Sequence, residues 1–371
     1  MRTAAFLGLV LSLTLSASAA AMPDHLSKPQ YVAPQDMIPA PQDIAYPGTM
    51  HLEVDARDHD QGIFRVTQTI PVAKAGPITL LYPEWLPGNH APRGEIEKLV
   101  GLEFSADGQK LAWVRDDVDV FAFHLTVPEG VSQITARFQF VSATQESQGR
   151  IVMAPAMLNL RWHQVSLYPA GYYVRQIPVE ATATYPDGWQ AASALRPKST
   201  SGSTIVYEKT DYDTLVDSPV FAGQNFQTIA LTSRVHLNIV ADDAKFLKPS
   251  SKQIAPHVAL VREAEALFGS HPYDRYDFLL ALTEDMGGIG LEHHRSSENG
   301  VDREYFTDWD SGPGRRNLLP HELTHAWNGK YRRPAGMWTP DFRQPMRDNL
   351  LWVYEGQTQF WGYVLGARSG L

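Results

Sequence analysis

The stretch His321-Glu322-Leu323-Thr324-His325 holds the residue types and spacing most able to do chemistry in this sequence. Two histidines four apart lie one turn above each other on a single helical face, so both imidazoles can reach one ion. Glu322 is rotated off that line and is placed to touch a water beside the ion rather than the ion itself. Helical geometry therefore supplies two nitrogen ligands and a base. The 371 residues include no cysteine, which excludes disulfides, thiolate ligands and a thiolate nucleophile, so a metal here must be bound by nitrogen and oxygen. No G-x-S-x-G occurs either, and serine hydrolase chemistry lacks support.

The element carrying this motif must be a short helix over about 317–328. Asn317 is a candidate cap, Pro320 is tolerated only in the first turn, and Gly329 is a natural stop. A catalytic zinc site takes three protein ligands and keeps one position open. A third ligand is sought on the next helical stretch, 349–368, capped by Asp348 or Asn349 and ending near Gly370. Leu351, Glu355, Thr358, Gly362 and Leu365 share one face of that helix, which puts a carboxylate in an apolar stripe. A buried carboxylate requires a partner. A metal ion would serve, and so would Arg332, Arg333 or Arg347 in the intervening loop.

The remainder of the chain frames these helices. Length predicts about two domains. Residues 1–21 carry Arg2, an apolar run from Ala4 to Leu15 and an A-x-A site, the order of a cleaved secretory signal peptide. The apolar run is too short to span a bilayer, so the expected location is periplasmic or secreted, with no membrane association after cleavage. The formal charge of −9 becomes −10 once Arg2 is removed, which argues against nucleic acid as a partner. Residues 22–47 are rich in proline and should form an extended arm. Over 48–240 short alternating runs such as HLEVDA, VFAFHLTV and VHLNIVA are separated by Gly, Pro and Asp, predicting an all-β, sandwich-like domain. From 241 the texture changes: SSKQIAPHVALVREAEALFG places Ile254, Val258, Val261, Glu265 and Phe268 at helical spacing with Gly269 as a stop, YDFLLALTED reads as a strand, and the two helices above follow. The fold class is therefore α+β and multidomain. No signature fixes an oligomeric state.

HELTHAWNGKYRRP at 321–334 followed by LLWVYEGQTQFWG at 350–362 resembles the M61 family of glycyl aminopeptidases, relatives of the gluzincin metallopeptidases. EWLPGNHAPRG at 84–94, DYDTLVDSPVFAG at 211–223 and GGIGLEHHRSS at 287–297 fit the same family, so the likeness runs from about residue 80 to the end. The resemblance implies a mainly helical, thermolysin-like catalytic domain over 241–371, one Zn2+ held by His321, His325 and Glu355, and Glu322 as general base. It implies a peptide substrate with a free N-terminus, preferably beginning with glycine or alanine. Glu292 looks like the glutamate that holds the substrate's α-amine. His293 and His294 follow it; adjacent strand residues point to opposite faces, so at most one, taken as His293, can contact substrate.

Two departures stand out. The position four after Glu355, acidic in many gluzincins, is Gln359, so another group must orient the histidines. The family also continues beyond the equivalent of Leu371, which predicts an incomplete catalytic domain and places a tyrosine that would stabilise the reaction's intermediate further on; Tyr331 and Tyr354 are poor substitutes. Two rival functions remain at this point: a secreted peptide- or glycan-binding protein with an inert or structural zinc site, and a zinc endopeptidase.

Overall fold

The computed structural model describes Ala33 and residues 36–371. The signal peptide expected over 1–21 and most of the proline-rich arm lie outside the described residues. Residues 38–371 form one compact unit. Within it the end of the arm runs extended: the Gln42 amide donates to the Gly171 carbonyl and the Tyr46 amide to that of Gln176.

The N-terminal part is mainly β. Its largest sheet has nine strands, with Met50–Asp55 paired parallel to Pro178–Thr184 and antiparallel to Ile63–Pro71. Burial alternates along these strands, so Met50, Leu52, Val54, Phe64, Val66 and Ile70 point inward. They share a core with Leu80 and Phe123 of a four-stranded sheet built around Gly76–Leu81 and Ala122–Val127. Period-two alternation with one apolar face per sheet drives this face-to-face burial.

A second four-stranded sheet contains Met157–Leu160 and Val220–Gly223. It packs on a five-stranded sheet in which Val235–Ala241, Tyr276–Leu282 and Ser296–Val301 run parallel, with Phe226–Ala230 and Gly290–Glu292 on the edges. Val240, Leu279 and Ala281 of the five-stranded sheet meet Met157 and Phe221 on one face. Leu237, Ile239, Phe278 and Leu280 meet the helices on the other. Both faces are covered, which is why YDFLLAL is buried at every position.

This arrangement changes two expectations. VHLNIVA, grouped by texture with the β domain ending at 240, hydrogen-bonds across that limit to Tyr276–Leu282. The part after 241 is also less helical than expected, because it is organised on a parallel sheet. Ser296–Val301 escaped hydropathy reading because its sequence SSENGV is polar, yet its first four residues are buried. Asn299 offsets part of that cost by donating to the Leu279 carbonyl at 3.1 Å.

Helix α1 is the short Tyr212–Val216. Helix α2, Ser251–Phe268, starts with a Ser250–Gln253 capping box and stops, as expected, at Gly269 in the left-handed conformation. Helix α3 is Leu318–Thr324 and α4 is Thr358–Ser369, ended by Gly370 at φ 84°. Asn317 makes no side-chain cap bond, and a 3-10 turn over Pro313–Asn317 leads into α3 instead. Pro320 falls in the first turn of α3, as required. Between the loop and α4, Trp352–Gln357 forms a π-helical turn.

Candidate active site

His321 lies in α3 and His325 immediately follows its last residue, still in helical conformation. Their Nε2 atoms face each other at 3.1 Å. Glu355 sits in the π-helical turn, a local widening of the helix often found at functional sites. One of its oxygens, Oε2, lies 3.4 Å from His321 Nε2 and 3.5 Å from His325 Nε2. Four-coordinate zinc with bonds of about 2.0–2.2 Å places its ligand atoms about 3.3–3.6 Å apart. The two separations to Glu355 fall on that tetrahedral edge and the one between the imidazoles, 3.1 Å, is slightly shorter, so these donors suit one such ion. None of the three arginines weighed as partners for Glu355 takes that role. Imidazoles do.

Asn328 ties the two helical pieces together. Its side-chain amide donates to the carbonyls of Val353 and Tyr354 and to Thr358 Oγ1, at 3.0–3.2 Å. Its own carbonyl accepts from His325 Nδ1 at 3.0 Å, so His325 presents Nε2 to the centre. Orientation lost at Gln359 is thus supplied by a backbone carbonyl. His321 Nδ1 has no partner among the described residues. Gly329 adopts φ 136°, and a Cβ there would strike the Tyr354 ring at 2.5 Å. The glycine therefore serves the approach of Tyr354 as well as following the turns that extend α3, one of which joins the Asn328 amide to the Thr324 carbonyl.

Glu322 and Glu292 complete a ring of acids. Both are nearly inaccessible, at 4% and 2% exposure, and each offers an oxygen to a second close group with His325. Gly290 makes room for Glu322, since a Cβ there would lie 2.5 Å from Glu322 Oε1. Burial, then the charges of Glu292 and Glu355, push the Glu322 carboxyl well above the usual range. Burial would raise Glu355 too, but hydrogen bonds from His321, His325 and His90 hold it well below. Glu292 is also lowered despite burial, by His325, Lys330 and His90 and by the hydroxyl of Tyr354, which donates to Glu292 Oε1. His325 is raised, its burial outweighed by Glu292 and Glu355.

Comparison with known proteins follows the division seen in the fold. Residues 51–224 match the Peptidase M61 N-terminal domain, and residues 315–371 match the M61 glycyl aminopeptidase domain. The chain belongs to the M61 peptidase family. The crystal structure of an aminopeptidase N family protein from Idiomarina loihiensis superposes with a TM-score of 0.73 at 20% identity. The match covers 87% of this chain and 55% of that one, so the M61 chain spans about half the length of this structural relative. At that identity the likeness is one of fold. No curated protein matches the chain.

The remaining predicted residues of this M61 chain lie elsewhere. His293 is fully engaged: Nδ1 meets Asp217 Oδ1 at 3.0 Å and Nε2 meets Glu298 Oε2 at 3.1 Å. Both ring nitrogens are used, so the expected substrate contact is replaced by a place in a buried ionic network. His294 also turns to Asp217. Tyr354, expected only as a poor substitute for a distant tyrosine, is buried against Glu292. Tyr331 is 63% exposed.

His90 was missed. It lies in the hairpin joining Trp85–Leu86 to Ala91–Pro92, and its Nε2 donates to Glu355 Oε1 at 2.8 Å. The two residues are 265 positions apart, beyond any local pattern. The only sequence signal was the Pro-Gly-Asn-His turn inside EWLPGNHAPRG.

Proposed function

We propose that this chain is a zinc-dependent aminopeptidase acting on the first peptide bond of substrates with a free N-terminus. The observation that carries the reading is the convergence of His321, His325 and Glu355 at tetrahedral spacing beside Glu322. His321 Nε2, His325 Nε2 and Glu355 Oε2 would hold the ion. Zinc bound there supplies Lewis acidity and lowers the pKa of a water toward neutrality.

The rest of the chemistry belongs to the protein. Glu322, a strong base once ionised because burial and neighbouring acids raise its pKa, takes a proton from the attacking water at its carboxylate. It then gives that proton to the nitrogen of the leaving amine. Glu292 is buried yet held low in pKa, a carboxylate suited to receive the substrate's α-ammonium and so fix the cut at the first bond. Its position against the hairpin supports a preference for glycine or alanine. A Cβ on Gly88 would come within 3.1–3.2 Å of both Glu292 oxygens, so space beside the amine anchor is narrow. The domain plan remains a leader over 1–21, an arm over 22–47, a β domain from 48 and a catalytic part extending to 371, acting in a periplasm or outside the cell. No helix among the described residues is long and apolar enough to cross a membrane.

The deciding experiment measures zinc stoichiometry together with turnover of glycyl, alanyl, leucyl and N-acetylglycyl arylamides. One zinc per chain, cleavage of the glycyl and alanyl compounds and rejection of the acetylated one are expected. Equal cleavage of the acetylated compound would make it an endopeptidase. Bound zinc without turnover of any arylamide or peptide would make it a binding protein.

A further inference from the structure

The hairpin that carries His90 belongs to the N-terminal β part, but it reaches the residues read above as a metal centre. Its position is fixed from several sides. The amides of Glu84 and Trp85 donate to the Phe342 carbonyl at 3.1 and 2.7 Å, anchoring the strand to the loop after α3. Gly88, at φ 79°, lets the turn press against Leu291 and Glu292. His90 itself has φ 51°, a left-handed conformation unusual for a residue with a side chain, though histidine is among those that tolerate it. Its ring packs edge-on against Tyr354 with centroids 4.7 Å apart, and the side chain is only 11% exposed. Backbone strain held by packing on both sides marks a side chain that is aimed.

Its target is one oxygen of one acid. Glu355 divides its carboxylate, with Oε1 accepting from His90 Nε2 at 2.8 Å and Oε2 facing His321 and His325. His321, His325 and Glu355 offer donor atoms that lie within 4.8 Å of one another, and His90 belongs neither to that group nor to the one of Glu292, Glu322 and His325. His90 therefore borders the centre without being one of its ligands. A carboxylate with one oxygen occupied by a hydrogen bond is left with a single oxygen for a cation. Outer hydrogen bonds of this kind orient ligands and govern affinity.

We infer that His90 is a positioning residue that holds Glu355 as a one-oxygen ligand, so that the β part of the chain sets the metal affinity of the helical part. This rests on the metal reading under Proposed function. The test is zinc affinity, measured by competition with a chromophoric chelator, in the parent chain and in two variants. H90F keeps a ring against Tyr354 and removes the donor. H90Q replaces the ring but returns an amide nitrogen near the place of Nε2. H90F should bind zinc about 10–100-fold more weakly, and H90Q should recover most of that loss, with the metal-free unfolding midpoints of the two variants close to each other. If H90F binds as tightly as the parent, or H90Q as weakly as H90F, the inference is overturned while the metal reading stands. A parent chain that binds no zinc would overturn both.

Discussion

Two buried clusters of charge lie side by side in this molecule, and they are built on opposite principles. In the first, Asp217 accepts from Lys330 Nζ at 2.9 Å, from His293 Nδ1 at 3.0 Å and from the His294 amide at 2.8 Å. Glu298 is shared between His293 and Arg161 Nε, the latter at 3.1 Å. Every acid there has a cation, which is why both carboxyls are held low despite burial. In the second, Glu292, Glu322 and Glu355 crowd two imidazoles whose Nε2 atoms point at each other. The two nitrogens and one Glu355 oxygen converge on a single point, and three acids lie beside one another there. Burial of unbalanced charge is costly. The closed network explains itself as the joint between Arg161 and Asp217 of the β part and His293, Glu298 and Lys330 beyond it. The open one is the cluster read above as the place of a cation and a substrate.

The comparison is tested most severely at the open cluster, where two substitutions of similar size should have different consequences. E322Q should retain zinc within about threefold yet lose about 10²–10⁴ in kcat, the usual range for removing a general base. E355A should lose zinc by more than the roughly 10–100-fold that outer-sphere partners alone are worth. Zinc competition and arylamide kinetics on both proteins give the answer. Full activity in zinc-loaded E322Q would remove the proposed base, and undiminished zinc binding in E355A would remove the third ligand.

The closed cluster should respond in stability. D217A strands the Lys330 ammonium, 1% exposed, in the interior, and uncompensated buried charge costs about 3–5 kcal/mol. Pairing it with K330M should return much of that loss, because both charges are then gone and methionine fills the space. Urea unfolding of the two single variants and the double variant closes the cycle. Additive losses would mean that Asp217 and Lys330 do not act as a pair.

The sequence exposed the open cluster far better than the closed one. HELTH was legible because four residues make one helical turn, and Glu355 because a carboxylate on an apolar helical face is conspicuous. Its stripe survives in part: Thr358, Gly362 and Leu365 are buried, while Glu355 emerges 37% exposed where the π-helical turn opens. That turn, one residue wider than an α-helix, leaves no mark in hydrophobic periodicity. His293, taken as a strand residue facing substrate, lies just past the strand Gly290–Glu292, where alternation no longer applies, and its partner Asp217 comes from a segment 76 residues earlier. His90 and Asn328 escaped for the same reason: their work is done through contacts with distant segments. Ser296–Val301 was invisible as a strand because buried hydrogen bonds, not apolar side chains, pay its cost.

The mildest test concerns acid. Burial pushes His163 down to about 3, aided by neighbouring Arg161, and pushes His257 down to about 4. An unfolded histidine titrates near 6.5, so below that pH the unfolded chain binds protons that the folded chain refuses. The stability these two contribute is complete above pH 6.5 and is lost as pH falls toward their folded values. Each costs about 1.4 kcal/mol per pH unit in that window. His293 works in the other direction: Asp217 and Glu298 raise it against burial, so its contribution is complete below 6.5 and fades as pH rises through its folded value. Urea midpoints measured from pH 6.5 to 5 should therefore fall. In H257N, whose amide can still donate to the Gln253 carbonyl as His257 Nδ1 does at 2.8 Å, the slope should be shallower by about one proton's worth. An unchanged slope would mean that His257 accepts a proton inside the fold, and that the aromatic pocket of Tyr305, Phe306 and Trp309 around it tolerates charge as well as the ionic network does.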